Sequence, residues 1–176
     1  MKYYIIKKSK NHTDVPKIIN WFGRINTEHI IRGEYDKLEK LYSLLVQENA
    51  DMYQADAIFE PVLLVSGMMK HCIEQYEPNM KHTFVGLIEK KNDTVFEFFL
   101  PHLTEEICLS KKSIISGNGT ILEKPVFDMK KLNKDKYIFR VGGLNSVYIA
   151  AREELVESVL RRGAKGIEFV GVEIEE

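Results

Sequence analysis

The fold is decided by the stretch Tyr137-Ile-Phe-Arg-Val141, Gly142-Gly143, Val147-Tyr-Ile-Ala150, Glu153 to Arg162 and Gly166-Ile-Glu-Phe-Val-Gly-Val-Glu173. Tyr137–Val141 reads as a strand broken by the two glycines, and Val147–Ala150 starts a second strand. Glu153 to Arg162 carries Leu155, Val156, Val159 and Leu160 on one stripe, the spacing of an amphipathic helix. Glu153 and Glu154 fall in its first turn and Arg161 and Arg162 in its last, the order the helix dipole favours. Gly163 is placed as a left-handed C-terminal cap. Ile167 to Ile174 alternates, with Ile167 and Phe169 expected on the inner face, until the pattern slips at Gly171. A slip of that kind predicts a bulge or a close backbone approach.

Working outward, the same strand–helix–strand order is predicted earlier. Val62–Ser66 reads as a buried strand, with Ser66 as N-cap of a helix over Gly67–Tyr76 that Pro78 ends. His82–Lys90 and Thr94–Leu100 follow as a hairpin around Lys91, Asn92 and Asp93. Phe-Val-Gly closes both units, at 84–86 and 169–171, which suggests an internal repeat. Lys2–Lys8 is a first strand. A short helix is expected over Val15–Phe22 and a longer one over Glu34–Glu48, whose apolar face is Tyr35, Leu38, Leu41, Tyr42, Leu45 and Val46. The expected fold is a single α+β domain of residues 1–176. Its mixed, largely antiparallel sheet carries two or three helices and contains the two strand–helix–strand units.

At 176 residues, with 25 basic and 26 acidic side chains, the net charge is −1. That balance argues against a general nucleic-acid binder, which is usually basic. The basic Lys2, Lys7, Lys8 and Lys10 and the acidic Glu168, Glu173, Glu175 and Glu176 would partly cancel if the end strands were neighbours. No run reaches membrane-spanning length and no targeting signal is read, so the expected compartment is the cytoplasm. Cys72 and Cys108 both fall within apolar patterns and are expected to be buried, reduced thiols.

No catalytic motif emerges. Ser116-Gly-Asn-Gly-Thr120 lacks the Lys and the following helix of a phosphate loop and reads as a turn. His71 and Cys72 are adjacent on a helix and diverge by about 100°. His82 and His102 have no carboxylate or thiol at metal-ligand spacing. Glu105 and Glu106, as strand neighbours, point to opposite faces, which is wrong for paired acid–base work. No catalytic residue, cofactor or metal is therefore assigned.

Residues 57–176 resemble the immunity-protein family numbered eleven of bacterial polymorphic toxin systems. The residues that carry the likeness are Pro61-Val-Leu-Leu-Val-Ser-Gly-Met-Met-Lys70, the tract Gly119 to Asp128, Ile138-Phe-Arg140 and Gly166–Glu173. They are mostly core and turn types. The resemblance implies a non-catalytic cytoplasmic protein whose partner is a cognate toxin domain, with no nucleic acid and no membrane involved. Residues 1–56 lie outside it and form a variable part. Aromatic and Arg residues that escape the core periodicity there, Trp21, Arg24 and Tyr53, are the candidate partner-binding anchors. The rival readings are a small enzyme with a cleft hidden from the sequence and a regulatory or structural module of a mobile element.

Overall fold

A computed structural model describes residues 1–11, 15–48 and 55–176. In chain order the strands are β1 (Tyr3–Lys8), β2 (Leu41–Leu45), β3 (Ala57–Ile58), β4 (Leu64–Ser66), β5 (His82–Glu89), β6 (Thr94–Pro101) and β7 (Glu105–Glu106). They continue as β8 (Ile114–Ser116), β9 (Ile121–Lys124), β10 (Val126–Asp128), β11 (Ile138–Val141), β12 (Ile149–Arg152), β13 (Ile167–Gly171) and β14 (Glu173–Glu175). The helices are α1 (Thr27–Ile31), α2 (Gly67–Tyr76) and α3 (Glu153–Arg161). The fold is α+β, with mixed, largely antiparallel sheets.

Among the described residues the strands form two five-stranded sheets, β2-β5-β6-β4-β3 and β13-β1-β12-β11-β7, and two small ones, β8-β9 and β10-β14. The strand–helix–strand units share one topology. β4 and β5 each run antiparallel to β6 between them, so α2 joins parallel strands across an intervening one. β12 and β13 each run antiparallel to β1 between them, and α3 makes the same connection. The intervening strand comes after the unit in one half and from the N-terminus in the other. The Phe-Val-Gly likeness thus has a structural counterpart: each copy lies on the strand that the helix leads into.

Local sequence explains both helices. The Ser66 hydroxyl accepts the Met69 N–H at 3.3 Å, capping α2, and itself donates to Asp56 at 2.7 Å. Gly163, with φ +70°, follows the end of α3 and donates its N–H to the Leu160 carbonyl. Met69, Cys72 and Ile73 of α2 share one core with Leu155, Val156 and Val159 of α3. Val65 from one large sheet and Ile138 and Ala151 from the other complete it. A second core lies on the far side of β2, β5 and β6, and a third holds Tyr3, Phe127 and Phe139.

The end strands are neighbours, with Lys7 opposite Glu168. Two of the C-terminal acids pair with lysines elsewhere, Glu175 with Lys112 at 2.8 Å and Glu173 with Lys124 at 2.9 Å. The slip at Gly171 marks a change of partner rather than the expected bulge or close approach: β13 keeps its register with β1 up to Gly171, and the chain then crosses to pair with β10 as β14. Phe169 is half-buried rather than buried, because β13 is at the margin of its sheet.

Two predicted helices are corrected. Glu34–Glu48 contains a single 3-10 turn at Tyr35–Lys37 and then β2. Tyr42, Leu44 and Val46 are buried while Leu41 and Ser43 are exposed, a period of two imposed by parallel pairing with β5. Val15–Phe22 forms no helix. Its backbone joins the edge of β2, with Ile18 bridged to Val46 and the Ile19 N–H bonded to the Leu45 carbonyl at 3.0 Å. No helix among the described residues is long and apolar enough to cross a membrane.

Candidate functional site

Residues 17–25 close the edge of β2 and, in doing so, present the candidate anchors. The Asn20 side-chain oxygen accepts the Leu45 N–H at 2.7 Å, and Arg24 Nη1 donates to the Ser43 carbonyl at 2.9 Å. Both contacts occupy backbone groups that an edge strand otherwise leaves open. The Trp21 carbonyl accepts the N–H groups of Arg24 and Ile25, making a tight turn. Gly23 takes φ +74° in that turn, a conformation that costs glycine nothing and other residues strain. Ile25 is driven into the second core, and Phe22 at the turn's outer corner is left 87% exposed.

Trp21 packs half-buried on that core and meets Phe22 edge to face, with ring centroids 5.9 Å apart. Trp21 and Arg24 stand out in the sequence by residue type, whereas the helical spacing that includes Phe22 hides its exposure. Trp21 and Arg24 are brought together by the turn, but Arg24 is already committed to β2. Tyr53 lies outside the described residues.

Beside Trp21 runs a groove of about 560 Å³, lined by Lys8, Lys17, Trp21, Ile31, Phe59 and Glu60 among others. A smaller hollow of about 150 Å³ shares Ile31, Phe59 and Pro61 with it and is lined also by Arg140. Arg140 is a buried cation. It donates through Nε to the Leu103 carbonyl at 3.3 Å and through Nη1 to the Ile31 carbonyl. Its Nη2 is 3.8 Å from the exposed Glu105 carboxylate. The Tyr35 hydroxyl donates to the same Leu103 carbonyl, and burial pushes its pKa up. A Cβ at Gly142 would lie 2.5 Å from the tip of Ile107 and 2.6 Å from that of Glu105, two exposed side chains that are free to move aside.

A separate concavity of about 420 Å³ holds Glu77, Lys81, His102, Asp135 and Lys136. Its polar groups are largely spent on structure. Glu77 accepts the N–H groups of Tyr137 at 2.7 Å and Ile138 at 3.0 Å, and Lys136 approaches it at 3.3 Å. His102 Nε2 is 2.8 Å from the Thr83 hydroxyl, its ring stacks on Tyr35, and burial holds its pKa low. The buried Nε2 of His82 has no hydrogen-bond partner among the described residues.

Glu105 and Glu106 diverge as expected: Glu105 faces Arg140, while burial raises the Glu106 carboxyl. Ser116–Thr120 is a turn between β8 and β9, with positive φ at Gly117, Asn118 and Gly119. Among the described residues no three His, Cys, Asp or Glu side chains are grouped to hold a metal ion. A scan against protein-family models finds no match, and a search of curated proteins finds none.

Proposed function

We propose that the chain is a bacterial immunity protein that binds a cognate toxin domain and neutralises it by occlusion in the cytoplasm, without chemistry of its own. The observation that carries this reading is the near-complete exposure of Phe22, edge-on to Trp21 beside an open groove. Aromatic anchors dominate interface energies, and here two adjoining aromatics border the groove. The likeness of residues 57–176 to the immunity family supports the same reading.

The test is co-expression with the toxin domain encoded beside the gene, scored as rescue of growth. Phe22→Ala is expected to lose rescue with an unchanged melting temperature. Arg24→Ala is expected to weaken rescue and to lower the melting temperature slightly, because it uncaps β2. Full rescue by Phe22→Ala would remove the aromatic from the interface.

The enzyme reading draws on the concavity around His102, where imidazole, ammonium and carboxylate groups converge. His102→Ala separates the two. Occlusion predicts retained protection, and an enzyme built on that concavity predicts its loss with the fold intact.

A further inference from the structure

The groove has a charge character that says what it takes. Lys8, at the end of β1, and Lys17 both line it, and among the described residues neither ammonium group has a carboxylate partner. The adjoining hollow is lined by Arg140, whose side chain is 7% exposed. Arg140 is already held by the Leu103 and Ile31 carbonyls and Glu105, so the groove's own charges are Lys8 and Lys17 against Glu60. The walls between are apolar: Trp21, Ile31, Phe59 and Pro61.

We propose that this groove is the docking site for an acidic segment of the toxin domain, one that carries an apolar anchor flanked by carboxylates. The inference rests on the immunity reading and names the surface and the chemistry of its partner. The anchor lies against Trp21, Phe59 and Pro61 and supplies the binding energy, and the carboxylates meet Lys8 and Lys17 and supply rate and specificity. A protein segment fits better than a small carboxylate because of Phe22. That ring stands next to Trp21 and remains wet if only the groove is filled, whereas a segment of a folded partner covers both.

Two arms test it. In the first, the ¹⁵N-labelled full chain is titrated with a short synthetic peptide in which Phe-Leu is flanked on both sides by acidic residues. A twin flanked by lysines and octanoate serve as comparisons. The acidic peptide is expected to shift the Trp21 indole and the Ile31 and Phe59 amides. The Lys8→Glu/Lys17→Glu double variant is expected to weaken its binding at least ~10-fold, with the melting temperature unchanged. Silence of the acidic peptide, equal binding of its lysine twin, or shifts with octanoate alone would each overturn the proposal, the last in favour of a small apolar carboxylate.

In the second arm, the double variant is co-expressed with the toxin domain. Loss of rescue beside a protective wild type is the expected result. If the double variant protects as well as wild type, the interface lies elsewhere and the groove proposal falls while the immunity reading stands. If wild type itself fails to protect, the immunity reading falls and with it the toxin as occupant; the peptide arm alone then decides whether the groove takes acidic segments.

Discussion

The Glu77 carboxylate, just past the end of α2, accepts the backbone N–H of Ile138 at 3.0 Å and so ties the first strand–helix–strand unit to β11, the strand paired with β12 of the second. The same oxygen accepts the Tyr137 N–H at 2.7 Å, and Lys136 balances the charge. Glu77→Ala leaves two N–H groups at a buried strand start without their acceptor. The expected cost is about 2–4 kcal/mol, since hydrogen bonds to charged groups are the strong ones and orphaned buried donors keep their desolvation penalty. Glu77→Gln retains an acceptor oxygen and should cost about half as much. Urea unfolding measures both; equal stability of wild type and Glu77→Ala would show that β11 is held against the first unit without this contact.

Aromatic truncations separate the third core from the sheet margin. Phe139 is fully buried between Tyr3 and Phe127, and Phe139→Ala is expected to cost about 3–5 kcal/mol. Phe169, half-buried on β13, should cost less, about 1–2.5 kcal/mol, in proportion to the apolar area it removes from water. Chemical denaturation of the two variants decides it, and a larger loss at Phe169 would mean that β13 is covered more deeply than its half-buried side chains show.

Acid should weaken the fold before its carboxylates titrate. Burial depresses the His82 pKa, Lys70 adds to the effect, and Glu74 opposes it. Burial also depresses His102. An imidazole with a folded pKa below its unfolded value of about 6.5 binds fewer protons folded than unfolded between the two. Stability is therefore fully present above about pH 6.5 and is lost as the pH falls through the folded values. Unfolding free energy is expected to drop from pH 7.5 to pH 5, with a shallower drop in His82→Gln. A flat profile in wild type would mean that both rings are protonated as readily in the fold as out of it.

Several elements were legible because their signals are local. Ser66, the stripe of Met69, Cys72 and Ile73, and Pro78 set both ends of α2, whose span matches the reading. Lys91–Asp93 marks the β5–β6 hairpin, and Asp93 takes the positive φ such a turn demands. β2 was not legible. The spacing of Tyr35, Leu38, Leu41, Tyr42 and Leu45 fits a helix. What makes a strand of it is a parallel partner some forty residues away, paired from Leu41↔Phe84 to Leu45↔Ile88. The candidate site shows the same divide. Trp21 and Arg24 stood out by residue type, but the exposure of Phe22 depends on a turn stabilised by the edge of that unforeseen strand. Arg24 was read as a partner anchor, and its bond to the Ser43 carbonyl gives it a structural task that no local pattern announces.

The thiols should be silent in the native state. Cys72 and Cys108 are both buried and free, and burial pushes the Cys108 thiol up to about 12. A thiolate is the reactive form, so little of it exists at pH 8. A colorimetric thiol reagent is expected to label neither within minutes in buffer and both in denaturant. Rapid labelling of the native chain at Cys108 would contradict the packing of the third core.

The measurement that bears most directly on the occlusion mechanism is a titration of the toxin domain's own activity with purified chain. Occlusion predicts that residual activity falls linearly and reaches its floor at a fixed, near-equimolar ratio, with the inhibited toxin eluting as a complex of the two. Toxin inactivated by amounts of chain far below its own, or left fully active by an excess, would contradict it.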